Sequence, residues 1–238
     1  MKIASLLLFF FLPFGHKADL NSTAVLQKMY KHYHSKWHTT RSFNQTTEMY
    51  RKDTLFRSQT WYEHILYPDK LRIDFDSLKS GNGIIFRADS TYVINKHKVV
   101  RSVKNENELI FFLGGMYFVP FDNVLAHFKE LHYDLAKFHT DTWKGKPVYV
   151  IGADKAGEKV NQLWIDQEKL VVVRFLKYED SSKEEGTMEE QIPVKGGGWS
   201  EMLCKFYVND HVLQIEKYHD VVGGTPVDKS MFEPSMVK

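Results

Sequence analysis

A predicted β-hairpin in the second half of the chain places the strongest constraint on its fold. Residues 161–175 contain two runs rich in Leu, Ile, Val and aromatic residues, and the polar tetrad 166–169 between them is typical of a turn. Because successive side chains of a strand point to opposite faces, Leu163 and Ile165 share one face and Trp164 lies on the other. This pattern predicts antiparallel β-sheet.

The same alternation recurs earlier, in residues 67–75. Leu71, Ile73 and Phe75 share one face of the predicted strand, whereas the residues between them are charged. A sheet with this pattern has one apolar face that must be kept from water, and whatever covers this face decides what the protein can bind. Alternation shows which residues share a face, but it does not show which face points inward.

Length and composition are those of a folded globular protein without an enzymatic signature. The chain has 238 residues, of which 43% are hydrophobic and 26% are charged, so it can bury a substantial core. Its sequence contains no Gly-x-Ser-x-Gly elbow, phosphate-binding loop, dinucleotide fingerprint or His-Glu-x-x-His motif. We therefore predict that the protein is not an enzyme, has no catalytic residues and uses no cofactor.

The first residues have the pattern of a signal peptide. Lys2 is followed by the apolar run 3–12, and Pro13 breaks this run shortly before Ala18, a small residue suited to cleavage. A run this short is well under the roughly 20 residues that a membrane-spanning helix needs. The sequence therefore predicts a signal peptide at residues 1–18 and an exported, soluble protein.

Removal of this segment would leave the chain without net charge. Lys2 and Lys17 account for the excess of 32 basic over 30 acidic side chains. A balanced surface lacks the basic stripe that nucleic acid or an anionic membrane would require, so we expect no nucleic-acid partner. Cys204 is the only cysteine, which excludes an intramolecular disulfide. Its alternation with Met202 and Phe206 predicts a buried apolar thiol.

The chain then reads as one helix followed by many strands. Asn21 and the two residues after it supply N-cap side chains for the helix. Its apolar face is formed by Leu26, Met29, Tyr30, Tyr33 and Trp37. The predicted strands cover residues 43–50, 54–67, 71–75, 84–87, 92–94, 99–103, 148–153, 163–165, 170–178, 202–209 and 212–218.

The pattern changes between residues 107 and 135. The apolar run 109–113 leads into two glycines, and helical spacing of apolar residues returns over 124–131 after Pro120. This predicts two short, apolar helices inserted between strands. Apolar helices of this kind are more often plain core than a moving element.

A histidine pair offers a metal site as an alternative reading. His34 and His38 are four residues apart and would share a helical face. No cysteine or carboxylate cluster accompanies them in the sequence, and aromatic residues occupy the core-facing positions. We therefore predict surface histidines and no metal site.

Several short motifs follow one another in an order known from one protein family. They are Phe43-Asn44-Gln45-Thr46, Pro68-Asp69-Lys70-Leu71-Arg72-Ile73, Leu163-Trp164-Ile165-Asp166, and the segment in which Val227-Asp228 leads to Phe232 and Pro234. In this order the chain resembles the LolA-type periplasmic carriers of outer-membrane lipoproteins. The resemblance extends over nearly all of the chain after the signal peptide, and it rests on the order of the motifs because each one is short.

The resemblance implies an α+β fold that is mainly antiparallel β. In this family an incomplete, half-open β-barrel is wrapped around an N-terminal helix, and internal helices act as a lid. One such domain would span residues 19–238. Its apolar interior would shield lipid or lipoprotein acyl chains, because each buried methylene contributes about 0.8 kcal/mol.

This resemblance also implies the partners and the site. We expect a monomeric periplasmic chaperone for outer-membrane lipoprotein sorting that exchanges its cargo with a membrane-bound donor or acceptor protein. Combined with strand alternation, the expected cavity residues are Leu71, Ile73, Phe75, Phe86, Tyr92, Ile94, Leu163, Ile165, Val173, Phe175, Phe206 and Val208. The expected lid residues are Leu109, Phe112 and Phe118.

One departure from the family pattern leaves a second function open. The bacterial carriers that fit best have an arginine directly before the strand-opening proline, where it regulates lid closure, and this chain has Tyr67. The alternative is an envelope regulatory or interaction module on the same fold. Such a module would bind a protein partner through a sheet edge and through the acidic segment 179–190.

Overall fold

The computed structural model describes residues 20–77, 79–179 and 181–237. The predicted signal peptide lies outside the described residues. The α-helices are α1 (Ser22–Tyr33), α2 (Glu108–Phe112) and α3 (Phe121–Glu130), and short 3-10 helices cover Gly115–Phe118, Lys229–Phe232 and Pro234–Met236. The strands are β1 (Thr40–Arg51), β2 (Thr54–Leu66), β3 (Lys70–Phe75), β4 (Gly83–Arg87), β5 (Ser90–Asn95), β6 (Lys98–Lys104), β7 (Phe138–Trp143), β8 (Lys146–Ile151), β9 (Gln162–Asp166), β10 (Val172–Glu179), β11 (Ser182–Glu189), β12 (Ile192–Pro193), β13 (Trp199–Ser200), β14 (Leu203–Val208) and β15 (His211–Gly223).

One large antiparallel sheet dominates the structure, as the sequence predicts. Its 13 strands run in the order β6-β5-β4-β3-β2-β1-β15-β14-β11-β10-β9-β8-β7, and β12 and β13 pair separately. The two edge strands, β6 and β7, do not pair with each other within the described chain, so the sheet is not closed. An open sheet of this size keeps one face available for other elements.

Tight turns set the register of the hairpins. Two consecutive residues with positive φ connect the strands at Lys52-Asp53, Lys96-His97, Lys144-Gly145 and Asn209-Asp210. Turns of this handedness match the right-handed twist of the flanking strands, which is why two-residue loops favour them. Asp53 adds a link between two hairpins, because its carboxylate accepts a hydrogen bond from the Val212 amide at 2.9 Å.

Helix α1 begins and buries its apolar face as the sequence predicts. The Asn21 side chain accepts a hydrogen bond from the Ala24 amide at 2.9 Å. Leu26 and Met29 are buried, and α1 packs against β8. Trp37 lies beyond the end of the helix at Tyr33 but is still buried in the same core.

The inserted segment between β6 and β7 contains three short helices instead of the predicted two. A Gly114 φ of 145° separates α2 from the 3-10 helix Gly115–Phe118. A Cβ at this position would lie 2.3 Å from Trp37 Nε1, so Gly114 also allows close packing. The apolar run therefore folds back on itself before α3 begins.

The acidic segment 179–190 belongs mostly to the sheet. Strand β10 continues to Glu179, and β11 covers Ser182–Glu189. The composition of this segment does not predict a strand, because Glu, Ser and Lys are poor strand formers. Ion pairs compensate: Arg174 on the neighbouring strand β10 bonds Glu185 at 2.7 Å, and Lys144 from the β7–β8 turn bonds Glu189 at 2.5 Å.

A second apolar cluster lies on the convex face of the sheet. Ile85 and Phe232 are each 0% exposed, because the 3-10 helix Lys229–Phe232 packs on β3 and β4. Arg72 holds this helix by donating a hydrogen bond from Nη1 to the Met231 carbonyl at 2.9 Å, and it also bonds Asp74 at 2.8 Å. The charged side of β3 is therefore covered by the end of the chain.

Replacement of Phe232 by Ala should destabilise the protein by about 3–5 kcal/mol, because it leaves a cavity against Ile85. Thermal or urea unfolding would measure the change. Met236→Ala is the matched control, since Met236 is 51% exposed in the same terminal segment and should change the stability by less than about 0.5 kcal/mol. Equal effects of the two substitutions would contradict the convex cluster.

Candidate functional site

A cavity of about 360 Å³ lies between the concave face of the sheet and helix α2. This volume is within the range of small-molecule sites. Its apolar wall contains Phe43, Trp61, Ile65, Leu71, Ile73, Ile84, Phe86, Phe175, Phe206, Val208, Leu213 and Tyr218 from the sheet, together with Leu109, Ile110 and Leu113 from the inserted segment. The cavity is therefore the place where the open sheet is covered least completely.

Half of the expected cavity residues line this space: Leu71, Ile73, Phe86, Phe175, Phe206 and Val208. The strand register explains two of these groupings. Leu71 pairs with Phe86, and Gly186 lies between Phe175 and Phe206 in one cross-strand row. A side chain at Gly186 would strike the Phe175 ring, since its Cβ would lie 2.1 Å from Cε1.

The remaining expected residues lie elsewhere. Leu163 and Ile165 are completely buried in the core, and Val173 lies at a β-bulge between β9 and β10. Phe75 packs on Trp61 with ring centroids 5.2 Å apart, but it is not part of the cavity wall.

Tyr92 and Ile94 occupy the opposite face of the sheet. Tyr92 pairs with Ile85 and Ile94 pairs with Gly83, so both point to the convex side. Both faces of β4 and β5 are partly apolar because the C-terminal segment covers the convex side. Alternation alone could not separate the two faces there.

The expected lid residues have three different environments. Leu109 lines the cavity. Phe112 is buried in an aromatic cluster, 5.9 Å from Phe128 and 5.8 Å from Tyr133 between ring centroids. Phe118 stacks on Tyr67 with ring centroids 5.5 Å apart. The inserted segment is thus attached to the core on one side and faces the cavity on the other.

Helix α2 has open space on both sides. A second cavity of about 470 Å³, lined by Phe111 and His127, lies across the helix from the first, and Asn107 and Ile110 contribute to both. One charged contact holds the start of the helix, where Lys177 Nζ lies 2.8 Å from Glu108 Oε1. The helix is also held by its buried side chains Ile110, Phe111 and Phe112, which belong to the core, so only its Leu109 side faces the cavity freely.

Tyr67 is hydrogen-bonded to the inserted segment. Its hydroxyl donates a hydrogen bond to the Leu113 carbonyl, at the end of α2, at 2.9 Å. Burial is the largest cause of the raised pKa of this hydroxyl, so it stays protonated and remains a donor. A buried tyrosine directly after β2 thus ties the sheet to the inserted segment.

The floor of the cavity is polar, which the sequence analysis missed. Arg41, Glu63 and Glu216 come from three neighbouring strands, β1, β2 and β15, and all three line the cavity. Arg41 is 2% exposed and forms an ion pair with Glu201 at 3.0 Å. It also donates to Ser200 Oγ at 3.1 Å.

The two cavity glutamates differ in their hydrogen bonds. Glu216 accepts hydrogen bonds from Gln214 Nε2 at 2.5 Å and from the Tyr218 hydroxyl at 3.0 Å. Glu63 is 6% exposed and makes no hydrogen bond with its side chain to any residue that the structure describes. Burial, then repulsion from Glu216, raises the pKa of Glu63 well above its ordinary value.

The sequence contains one weak indication that the floor of the cavity is polar. Glu63 lies two residues from Trp61 on one side and from Ile65 on the other, so alternation places its carboxyl on an apolar face. Its proximity to Glu216 cannot be read in this way, because the two strands are far apart in the chain. The cluster depends on the sheet order.

His34 and His38 each contact a backbone carbonyl, and Cys204 is buried in the core. His34 Nδ1 lies 2.9 Å from the Tyr117 carbonyl, and His38 Nδ1 lies 2.6 Å from the Gly197 carbonyl. Burial lowers the pKa of His38 to about 4, so its ring is neutral near pH 7. Cys204 is buried, and burial raises the pKa of its thiol. No group of three or more metal-ligating His, Cys, Asp or Glu side chains occurs among the described residues.

Comparison with solved structures identifies the fold. A DUF1329 family protein from Desulfovibrio piger superposes with a TM-score of 0.61 and 11% identity, covering 91% of this chain and 98% of that one. A putative outer membrane lipoprotein-sorting protein domain from Vibrio parahaemolyticus gives a TM-score of 0.58 with 9% identity, covering 89% and 96%. A LolA superfamily protein from Nitrosomonas europaea gives 0.53 with 9% identity, covering 89% and 97%.

These similarities confirm at the level of fold the resemblance predicted from the sequence. The chain has a LolA-like fold. No protein-family model matches the sequence, and no curated protein matches it significantly. Within the described residues, none of the helices has both the length and the apolar composition required to cross a membrane.

The cavity carboxyls predict a pH-dependent stability. The pKa of Glu63 is raised by folding, so its contribution is fully present below the unfolded value of about 4.5 and is lost as the pH rises toward the folded value. Glu63→Gln should therefore gain stability relative to the unsubstituted protein, by up to about 1.4 kcal/mol per pH unit in this window. Urea unfolding at several pH values between about 5 and 8 would measure the difference.

His38 contributes with the opposite sign, because its lowered pKa makes stability decrease as the pH falls from 6.5 toward about 4. This contribution is present in both proteins and cancels in their difference. Glu184→Gln, which removes an exposed carboxyl from the same cavity wall, is the matched control for the substitution itself. A pH-independent difference for Glu63→Gln would contradict the assignment.

Proposed function

We propose that this protein is an exported, periplasmic carrier that shields an acyl chain in the cavity between the sheet and α2. The cavity itself carries this proposal: its wall is mostly aromatic and aliphatic, and its volume of about 360 Å³ suits a small amphiphile. Each methylene removed from water would contribute about 0.8 kcal/mol, so affinity requires no catalytic chemistry.

The similarity of fold supports the same function. One solved structure with this fold is a putative outer membrane lipoprotein-sorting protein domain, and another belongs to the LolA superfamily. By analogy we propose one domain over residues 19–238 that acts as a monomer, with lipid or lipoprotein acyl chains as cargo. A membrane-bound donor or acceptor protein would then load or unload it.

We further propose that residues 109–116 form the lid. Leu109 and Leu113 face the cavity, and the helix between them has a second cavity behind it. Movement of α2 into that space would enlarge the site. Phe112, at the end of α2, would be the pivot of this movement, because it is packed among core aromatics.

Cavity filling tests the site. Val208 lines the cavity, so Val208→Trp should weaken binding of a fluorescent acyl chain or of N-phenyl-1-naphthylamine by about tenfold or more, which is roughly 1.4 kcal/mol. Val222→Trp is the matched control, since Val222 is exposed on β15 outside the cavity and should leave binding unchanged. Mass spectrometry of lipid extracted from the purified proteins should show co-purified lipid reduced in the first variant only. Undiminished binding by Val208→Trp would exclude this cavity as the site.

Loss of the Tyr67 hydroxyl tests the lid. Tyr67→Phe removes the hydrogen bond to Leu113, worth about 1 kcal/mol, so amide exchange across residues 109–116 should become about fivefold faster. Tyr62→Phe, at a tyrosine that makes no hydrogen bond with its hydroxyl to another described residue, is the control. Addition of a long-chain lipid should slow exchange in this segment, while the β9–β10 hairpin stays protected. Strong protection of residues 109–116 in all states would identify the helices as fixed core.

The interaction-module alternative finds less support in the charge distribution. In its expected surface, the acidic segment 179–190, two carboxylates are already paired: Glu185 with Arg174, and Glu189 with both Lys144 and Lys205. Fixed lid helices together with absent lipid would nevertheless favour that alternative over the carrier.

A further inference from the structure

We propose that the cavity selects amphiphiles with a cationic head, such as an alkylamine, and that the head lies against Glu63 and Glu216. The inference rests on the proposed carrier function, because it names the chemical class of the cargo. Its basis is the floor of the cavity, where a carboxyl without a hydrogen-bond partner among the described residues faces the space that a ligand would occupy.

The buried carboxyl of Glu63 has no hydrogen-bond partner among the described residues, and this points to a ligand. The side chain is 6% exposed and lines the cavity, and it makes no hydrogen bond to any described residue. A buried carboxyl without a partner is costly, so a ligand group that neutralises it would gain more there than at the surface. Glu216, 8% exposed, lies on the same floor and adds a second carboxyl.

The charged side chains in the cavity wall indicate that the head group of the ligand is positively charged. Among the described residues that line the cavity, Arg41 is the only basic side chain, and Glu201 already neutralises it at 3.0 Å. Two more acids, Glu184 and Glu185, lie toward the opening, and only Glu185 is paired, with Arg174 at 2.7 Å. Acidic side chains therefore outnumber basic ones at both ends of the cavity.

Aromatic rings reinforce this preference. Trp61 lies two residues from Glu63 on β2, and Tyr218 lies two residues from Glu216 on β15, so all four side chains share the concave face. Ring faces attract cations, and the attraction is stronger when water is excluded. Burial raises the pKa of both carboxyls, and repulsion from Glu216 adds to the shift at Glu63, so a bound cation would favour the ionised form of each. A carboxylate head would meet repulsion instead.

Three amphiphiles of equal chain length test the proposal on the unsubstituted protein. Dodecylamine, dodecanol and dodecanoate would displace N-phenyl-1-naphthylamine near pH 7, below their micelle concentrations. Dodecylamine should act at a concentration about tenfold or more below that of dodecanoate, with dodecanol between them. Equal potency of the amine and the carboxylate, or a preference for the carboxylate, would overturn the proposal. In that case, displacement of the probe by dodecanol would still support the carrier function. If none of the three amphiphiles displaced the probe, both the head-group preference and the carrier function would be contradicted.

Two variants test whether Glu63 and Glu216 cause the preference for the amine. Glu63→Gln combined with Glu216→Gln should abolish the preference for the amine while keeping dodecanol binding within about twofold. Glu184→Gln, near the opening, should retain most of the preference. A preference that survives the double substitution, or that is lost equally in Glu184→Gln, would place the selection outside the floor and overturn the assignment. If the double variant fails to fold, as judged by circular dichroism, Glu63→Gln alone should still reduce the preference by about threefold or more, and an unchanged preference would contradict the proposal.

Discussion

The burial of the concave face of an open sheet is the constraint on which the rest of the structure depends. A sheet that does not close has to cover its apolar face with other elements, and this chain uses α1 and the inserted helices. The cover is complete over β8 and β9, where Ile151, Leu163 and Ile165 are fully buried. It is incomplete beneath α2, and the cavity exists because of that difference.

The ion pair of Arg41 and Glu201 holds the polar floor of the cavity in place. A buried guanidinium is tolerated only with a paired carboxylate and further hydrogen bonds, and Ser200 supplies one of these. Removal of Glu201 alone would leave an uncompensated charge at the centre of the sheet. The polar floor is thus as much a part of the core as the aromatic cluster around Phe112.

Periodicity predicted much of the fold because it depends on neighbouring residues. The face of Leu71 and Ile73 and the cap at Asn21 both appear where the sequence places them. Tyr92 lies on the other face, because the C-terminal segment covers that face and alternation does not reveal this cover. The row of Arg41, Glu63 and Glu216 could not be predicted, since it requires the order of strands that are distant in sequence.

The position of β15 has a consequence for the time course of folding. Strand β1 pairs with β15, so that Arg41 lies opposite Gly223, and Phe232 seals the convex side of β4. Contacts between such distant parts of the chain give a high contact order, which slows folding because long loops must close first. During synthesis β1 has no final neighbour on one side until almost the whole polypeptide exists. An emerging chain would therefore expose the unpaired edge of β1, which is prone to aggregation, until β15 has been synthesised.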